Sequence, residues 1–224
     1  SVGGKVAINL PKAKNMVGAF YQPLRVLIDT RCLGTLTERD YRAGLAEVVK
    51  YGVILDEQFF AFLEENIEAI NRRDPEVMKT VVARCCRLKA DVVEQDEREE
   101  SGLRAILNYG HTFAHAFESL TGYEQLMHGE AVAMGMVCAS RLAERLGRVT
   151  PEVTERQVRL LEAFGLPTKP PRLPVDEVVQ AMRHDKKAVH GQLRLILPNR
   201  LGEVELVRDV PADLIKEVIR ELQA

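Results

Sequence analysis

The chain lacks a long apolar run, an excess of charge of one sign and a paired-cysteine motif. Of its 224 residues, 46% are hydrophobic and 29% are charged, yet no apolar segment approaches the roughly 20 residues that span a bilayer. A formal net charge of -2 excludes the overall basic field that is typical of nucleic-acid-binding proteins. No secretory signal peptide, internal repeat or low-complexity segment is present. These absences favour an ordinary globular protein that acts on neither a membrane nor a nucleic acid.

The cysteines are few and are not spaced as metal ligands. Cys32, Cys85, Cys86 and Cys138 form no CxxC pair, and the two adjacent ones lie in a predicted helix. We therefore expect small buried hydrophobic side chains in a reducing compartment, rather than disulfides or a metal site. This pattern favours a cytoplasmic protein.

The first 29 residues predict strands. Residues 5–10 predict a short strand and residues 11–22 a loop, whereas the apolar, β-branched residues 24–29 predict a buried strand. The first strand has nothing before it to pair with, and the chain begins with Ser1 rather than Met. We therefore expect a fragment that begins inside a fold.

From Thr37 onwards the pattern is mainly helical. Thr37 is a predicted N-cap, because acidic side chains follow it in the first turn. Pro75 is predicted to open a later helix at its first turn. The remaining predicted elements are helices over 110–120, 128–146, 151–165, 176–182 and 212–222, a proline-rich connector over 167–174, and strands over 193–197 and 204–207.

Three of the five histidines, His111, His115 and His128, lie close together in the sequence. On a helix His111 and His115 share one face. This spacing is similar to that of the metalloprotease HExxH motif, but Thr112 stands where the glutamate base belongs. Spacing alone therefore favours His111 and His115 as metal ligands, with His128 as a further candidate. The alternatives are hydrogen-bonded core histidines and, for His128, a position near a helix N-terminus.

Glu47 and Lys50 form a second candidate site. They share a helical face at a spacing of three residues, within an apolar stretch. A solvated ion pair is the ordinary interpretation, but the scarcity of other polar residues around them favours a functional pair.

Several cations and amides suggest an anionic ligand. Backbone amides at Gly3 and Gly4, together with nearby lysines, suit an anion, although no GxGxxG motif or P-loop is present. Lys186 and Lys187 are equally compatible with a solvated turn. The candidate groups are Lys5, Lys12, Lys14, Asn15, Lys89, Arg104, Lys186, Lys187 and Arg194.

In order along nearly the whole chain, these residues and their neighbours resemble the 3-dehydroquinate synthases, a group of sugar phosphate cyclases. The chain departs from the family pattern at Val6, where threonine is usual, and at Ala114, where glycine is usual. The segments that carry the resemblance are residues 1–5, 14–22, 44–52, 96–98, 102–104, 108–115, 128–136 and 185–187.

The resemblance implies a mainly α fold, in which a helical metal-binding domain follows the last strands of an α/β NAD-binding domain. Residues 1–36 would be the remnant of the α/β domain, and residues 37–224 the helical metal- and substrate-binding domain. The glycines that would bind the dinucleotide are absent from this chain. We therefore expect the chain alone to bind NAD poorly and to be inactive, and we expect the family's usual homodimer.

The resemblance also implies roles for individual residues. Glu47, His111 and His128 would bind zinc or cobalt, so that His128 replaces His115 in the ligand set. His115, near the substrate phosphate, would assist proton transfer. The other implied contacts are Lys5, Asn15 and Asn108 to hydroxyl and phosphate groups, Lys50 to a hydroxyl beside the metal, Lys89 and Arg104 to a carboxylate, and Arg194 to a phosphate.

The implied reaction is a lyase-type cyclisation of a small sugar phosphate in the shikimate pathway. It converts 3-deoxy-D-arabino-heptulosonate 7-phosphate to 3-dehydroquinate and phosphate, through transient oxidation by NAD, elimination, reduction and aldol closure. The alternatives are another sugar phosphate cyclase, a metal-dependent glycerol-type dehydrogenase and a non-catalytic helical interaction module. Another cyclase does not explain the paired cations Lys89 and Arg104. A glycerol-type dehydrogenase does not explain the phosphate-binding groups around Lys5, Asn15 and His115.

Overall fold

The computed structural model describes residues 2–10, 13–98, 100–122, 125–184 and 193–224. The described chain is mainly helical, with a two-stranded antiparallel sheet near each end. Its elements, in order, are β1 (Lys5–Leu10), β2 (Ala13–Phe20), a 3-10 helix (Thr30–Thr35), α1 (Glu38–Leu55), α2 (Glu57–Glu65), α3 (Ile67–Asn71), α4 (Pro75–Gln95), a 3-10 helix (Leu103–Asn108), α5 (His111–Leu120), α6 (His128–Arg145), α7 (Pro151–Ala163), α8 (Val175–His184), β3 (Arg194–Arg200), β4 (Glu203–Arg208) and α9 (Ala212–Gln223).

The N-terminal hairpin confirms one prediction and corrects another. β1 has the predicted bounds, but the loop predicted over 11–22 is wrong, because β2 lies within it and pairs with β1. β1 therefore pairs with a strand that follows it in the sequence. Gly18 permits this pairing, because a Cβ there would lie 2.3 Å from the carbonyl oxygen of Val6.

The buried strand predicted over 24–29 is also wrong. This segment has no regular structure, and Leu24 and Leu27 are 102% and 94% exposed. A buried strand requires neighbouring strands at its edges and a layer over each face. In the described chain β1 and β2 pair only with each other, so apolar composition alone does not make this segment a strand.

The centre of the molecule is α6, which packs against α1, α5, α7, α9 and β3. Most of its residues are buried, including all of residues 131–140, as its small and apolar composition predicts. The apolar face of α1, which includes Leu45, Val49 and Val53, is buried in the same core. The site described below lies at the N-terminal ends of α5 and α6.

Local sequence signals explain where the helices begin. The Thr37 hydroxyl accepts a hydrogen bond from the backbone N–H of Asp40, which caps α1 as predicted. The Asp74 carboxylate caps α4 in the same way, with Pro75 at the first position of the helix. Both predicted helix starts are therefore confirmed.

The predicted elements of the C-terminal part are present with small differences in their bounds. Helices α5 to α9 and the β3–β4 hairpin all occur, but β3 extends through Pro198 to Arg200, beyond the predicted end. The turn that follows contains Gly202, whose φ of 82° favours glycine.

The cysteines only partly match their prediction. All four are free thiols, and Cys138 is buried as expected. Cys32 is exposed, and Cys85 and Cys86 are half-buried, so burial was wrongly predicted for Cys32. No helix in the described ranges is both long and apolar enough to cross a bilayer.

Candidate metal centre and active site

Three helices bring Glu47, His111 and His128 together. Glu47 lies in the middle of α1, whereas His111 and His128 are the first residues of α5 and α6. One donor atom from each residue lies within 4.8 Å of the other two. Among the described residues this is the group of acidic, histidine or cysteine side chains that could hold a metal ion.

Glycines allow the three helices to approach closely. A Cβ on Gly129 would lie 1.8 Å from the carbonyl oxygen of Ala43, and one on Gly135 would lie 2.1 Å from that of Gly110. Any larger residue at these positions would force the backbones apart. Each candidate ligand therefore lies next to, or one helical turn from, a close approach between helices.

The ring orientations of both histidines direct Nε2 towards Glu47. Nδ1 of His111 lies 3.0 Å from the carbonyl oxygen of Tyr109, and Nδ1 of His128 lies 3.2 Å from a carboxylate oxygen of Glu118. Because both partners only accept hydrogen bonds, each Nδ1 is the donor, and in the neutral rings each Nε2 lone pair would be available to a metal ion. The Nε2 atoms lie 3.4 Å and 3.8 Å from Oε1 of Glu47.

The charge states of the buried ligands suit metal binding. Burial lowers the pKa of His111, which keeps this imidazole neutral at pH 7. Burial alone would raise the pKa of Glu47, but the neighbouring His111 and the charge of Lys50 outweigh it and hold that pKa below its usual value. The hydrogen bond with Glu118 raises the pKa of His128.

The donor set fits a catalytic zinc or cobalt ion. Two imidazoles and one carboxylate leave a coordination position open, as in catalytic zinc sites. Ligands bound at about 2.0–2.1 Å in a tetrahedron lie roughly 3.3 Å apart, which is close to the 3.4 Å between Nε2 of His111 and Oε1 of Glu47. Oε2 of Glu47 also forms a hydrogen bond with the buried amine of Lys50.

His115 lies beside the three donors rather than among them. Its ring centroid is 5.7 Å from that of His111 and 6.3 Å from that of His128. The pair that spacing alone favours, His111 with His115, is therefore not the pair that the structure brings together with Glu47.

Lys50, Lys89 and Arg104 form a cluster of cations next to Glu47. Burial and the charges of Lys50 and Arg104 lower the pKa of Lys89. Gly3 lies between Arg104 and Lys89. A Cβ on Gly3 would be 3.1 Å from Nη2 of Arg104 and 3.5 Å from Cε of Lys89. Lys89 also lines a cleft of about 500 Å³. The cluster suits an anionic group beside the metal site.

The segment that carries Arg104 and Asn108 is a 3-10 helix. An α-helix would align these two side chains, but in a 3-10 helix positions three apart align instead. Arg104 and Asn108, which are four positions apart, therefore do not share one face. Arg104 is buried and donates to the carbonyl oxygen of Glu97 at 2.7 Å, and Asn108 donates to that of Ala105 at 3.2 Å.

The remaining candidates lie at the ends of the chain. Lys5 opens β1, Asn15 lies within β2, and Arg194 is a half-buried residue at the start of β3. Their implied roles rest on the resemblance. Lys12, Lys186 and Lys187 lie outside the described residues.

The sequence argument missed Glu118 and Tyr109. Glu118 follows His111 by two helical turns and is therefore on its face of α5, which is a signal that the sequence offered. Its carboxylate is buried beside His128. The contact with Tyr109 uses a backbone carbonyl, which no side-chain pattern reveals.

A buried polar chain fixes Tyr109. Its hydroxyl donates to the side chain of Gln157 at 2.8 Å, and Gln157 donates to the hydroxyl of Ser140 at 2.9 Å. Ser140 in turn lies 3.0 Å from the hydroxyl of Thr154. This chain links the carbonyl that orients His111 to α6 and α7.

A second polar contact fixes the start of α6. The Arg39 guanidinium binds both carboxylate oxygens of Glu130 at 2.7 Å and donates to the carbonyl oxygen of Gln125. Glu130 accepts from the backbone N–H of Met127 at 2.9 Å. α1 therefore holds the turn from which His128 projects.

Family models match most of the chain. The model described as 3-dehydroquinate synthase C-terminal matches residues 44–188, and the model described as 3-dehydroquinate synthase N-terminal matches residues 1–43. The chain belongs to the 3-dehydroquinate synthase family. The boundary between the two models falls inside α1.

Curated relatives are similar over nearly the whole chain. The 3-dehydroquinate synthase of Desulforamulus reducens is 54% identical over 217 residues, which cover 96% of this chain and 60% of that protein. The 3-dehydroquinate synthase of Vibrio atlanticus is 50% identical over 220 residues, which cover 98% and 60% respectively. The chain therefore spans about 60% of the length of these relatives.

Two solved structures are similar to this chain over nearly its whole length. The 2-epi-5-epi-valiolone synthase of Streptomyces hygroscopicus, with NAD+ and Zn2+ bound, has a TM-score of 0.88 and 28% identity, over 99% of this chain and 61% of that one. A 2-deoxy-scyllo-inosose synthase, complexed with carbaglucose-6-phosphate, NAD+ and Co2+, has a TM-score of 0.83 and 32% identity, over 98% and 62%.

Proposed function

We propose that this chain provides the metal- and substrate-binding part of a 3-dehydroquinate synthase. Such an enzyme converts 3-deoxy-D-arabino-heptulosonate 7-phosphate to 3-dehydroquinate and phosphate in the shikimate pathway. The observation that carries the proposal is the Glu47, His111 and His128 group beside the cations Lys50, Lys89 and Arg104. Identities of 50–54% to 3-dehydroquinate synthases support the same reaction.

Glu47, His111 and His128 would hold zinc or cobalt. When bound, the metal would supply a Lewis acid for a substrate oxygen, and NAD would supply a hydride acceptor. Lys50 is positioned to bind a hydroxyl next to the metal, because its buried amine already contacts Glu47. The chain's own contribution is then positioning and electrostatics.

Lys89 and Arg104 would bind the substrate carboxylate. The planar guanidinium matches a carboxylate with two parallel hydrogen bonds, and the partly buried Lys89 amine adds a second charge. Arg104 is held in place through Glu97 and Asp96, which accept from its side chain and its backbone N–H. A fixed donor of this kind loses little entropy on binding.

We assign the remaining contacts by resemblance. His115, next to the metal ligands, would assist proton transfer near the phosphate. Lys5, Asn15 and Asn108 would contact phosphate and hydroxyl groups, and Arg194 would provide a late phosphate contact.

We place residues 1–36 in an α/β NAD-binding domain, and residues 37–224 in a helical domain. Exposed apolar side chains on β1, β2 and the segment after them support a covering layer there, among them Ile8, Phe20, Leu24 and Leu27. NAD binding and activity would then require that layer. We also propose a homodimer in the cytoplasm, consistent with free thiols at all four cysteines.

Another sugar phosphate cyclase is the second candidate, because valiolone and inosose synthases share the fold. A carboxylate distinguishes the proposed substrate from one that lacks it, so the Lys89 and Arg104 pair favours 3-dehydroquinate synthase. A glycerol-type dehydrogenase has no use for this cation cluster.

The test joins the chain to the N-terminal portion of the Desulforamulus reducens relative that its match leaves uncovered. With zinc and NAD, we expect phosphate release and 3-dehydroquinate from the heptulosonate phosphate, but not from a heptulose phosphate without the carboxylate. Arg104→Met should lower kcat/KM for the former about 10- to 100-fold. Arg87→Met, on the exposed face of α4, is the matched control.

Two results would contradict the proposal. Equal phosphate release from both substrates would favour another sugar phosphate cyclase. Accumulation of NADH from glycerol, without phosphate release from either sugar, would favour a dehydrogenase.

A further inference from the structure

Glu118 is a buried carboxylate that the proposed reaction does not use. It lies on α5, and 6% of its side chain is exposed. Burying an ionised carboxylate is costly unless it is hydrogen-bonded to a suitable partner. Its described partner is Nδ1 of His128, at 3.2 Å on the neighbouring helix.

His128 needs such a partner more than His111 does. The side chain of His128 is 49% exposed, whereas that of His111 is 11% exposed and is enclosed by the core. Packing therefore fixes the ring of His111, but it leaves the ring of His128 free to rotate towards solvent. The contact with Glu118 restricts that rotation.

The two histidines are held by equivalent contacts of different chemistry. A backbone carbonyl accepts from Nδ1 of His111, and a carboxylate accepts from Nδ1 of His128. In both cases Nε2 is left to face Glu47. A carboxylate acceptor also makes the opposite nitrogen of the imidazole a stronger donor to a metal ion.

We propose that Glu118 is the positioning residue of His128, which fixes the ring and the tautomer that present Nε2 to the metal. This inference rests on the proposed metal site. Helix α5 would then both carry one metal ligand, His111, and orient a second ligand, His128, on α6. This role of Glu118 also explains why a carboxylate is buried between apolar side chains of α5.

The test measures metal affinity of the chain by competition with a chromophoric zinc chelator. Glu118→Gln keeps the shape and one acceptor, and Glu118→Leu keeps neither acceptor nor charge. We expect the zinc Kd to rise about 10-fold in the first variant and about 100-fold in the second. Glu94→Gln, which removes an equal charge from an exposed site on α4, should leave the Kd unchanged.

A second readout needs neither a variant nor a metal. In the metal-free wild-type chain, nitrogen-15 spectra of the imidazoles should show His128 protonated at Nδ1. Protonation at Nε2 alone, in the neutral ring at alkaline pH, would overturn the proposal, even if the Glu118 variants fail to fold.

The affinity measurements separate this inference from the metal site itself. Zinc binding that is equally tight in the wild type and both Glu118 variants would overturn the role of Glu118 and leave the site intact. Absence of zinc binding in the folded wild-type chain would overturn both.

Discussion

Gly129 shows how strongly the candidate site depends on single residues other than the ligands. It follows His128 directly and lies where α6 crosses α1, one turn before Glu47. The backbones meet there because there is no side chain between them. Because Gly129 has no Cβ, α1 and α6 can approach closely, and this approach sets the separation of the ligands on the two helices.

We predict opposite effects for two glycine-to-alanine changes. In Gly129→Ala the new Cβ would lie 1.8 Å from the Ala43 carbonyl oxygen, which should cost about 3 kcal/mol and lower the Tm by about 6–12 °C. Gly44→Ala, on α1, places a Cβ with no atom within 4 Å, and should stabilise the protein by about 0.5–1 kcal/mol. Calorimetry of both variants checks this, and equal Tm values would contradict it.

At the scale of elements, Asp96 connects the end of α4 to the 3-10 helix that carries Arg104. Its two carboxylate oxygens accept from the backbone N–H groups of Ser101 and Arg104, at 3.0 Å and 3.1 Å. Burial by itself would raise the pKa of Asp96, but these hydrogen bonds outweigh it and hold the pKa below its ordinary value of 3.8. The carboxylate therefore stabilises this connection in its ionised form.

We predict that the effect of Asp96→Asn depends on pH. A carboxyl whose pKa is lowered by folding contributes stability above its unfolded pKa and loses that contribution as the pH falls through the folded pKa. The variant should therefore have a lower urea midpoint than the wild type at pH 7. The difference should shrink as the pH falls below 3.8. A difference that stays constant with pH would show that the ionised carboxylate is not responsible.

The helices could be predicted from the sequence because their signals are local. Thr37 and Pro75 mark helix starts through hydrogen bonds and backbone angles that neighbouring residues set. The hairpin of β1 and β2 could not be predicted from the sequence, because Lys14 and Asn15 within β2 are typical of a loop. Residues 24–29 have strand composition, but strands also require partners, which composition does not reveal.

The candidate site was only partly predictable from the sequence. Spacing along α5 favoured His111 with His115, and only the family resemblance selected His128. Its selection depends on how α5 and α6 cross at Gly110 and Gly135, which is a tertiary feature. The 3-10 geometry around Arg104 was likewise beyond a pattern argument.

At the scale of the whole molecule, the exposed apolar residues of the first 28 positions are the main departure from an ordinary surface. Val6, Ile8, Phe20, Leu24 and Leu27 are all exposed in the described chain. Contiguous apolar surface of this kind marks an interaction site or an aggregation hazard. It agrees with the proposal that an α/β layer covers this region.

We predict that the chain alone self-associates through this surface. The double change Leu24→Ser and Leu27→Ser should lower its apparent mass in light scattering at high concentration, because two nearly fully exposed leucines are removed. Leu146→Ser, which changes an exposed leucine in the helical part, is not expected to have this effect. An unchanged concentration dependence in the double variant would contradict a role for these leucines.

The most direct test of the metal site is elemental analysis of the purified chain as wild type, His128→Ala and His115→Ala. We predict about one equivalent of zinc or cobalt in the wild type and in His115→Ala, and little in His128→Ala, because three protein ligands define such a site. Metal retained without His128 but lost without His115 would contradict the Glu47, His111 and His128 assignment.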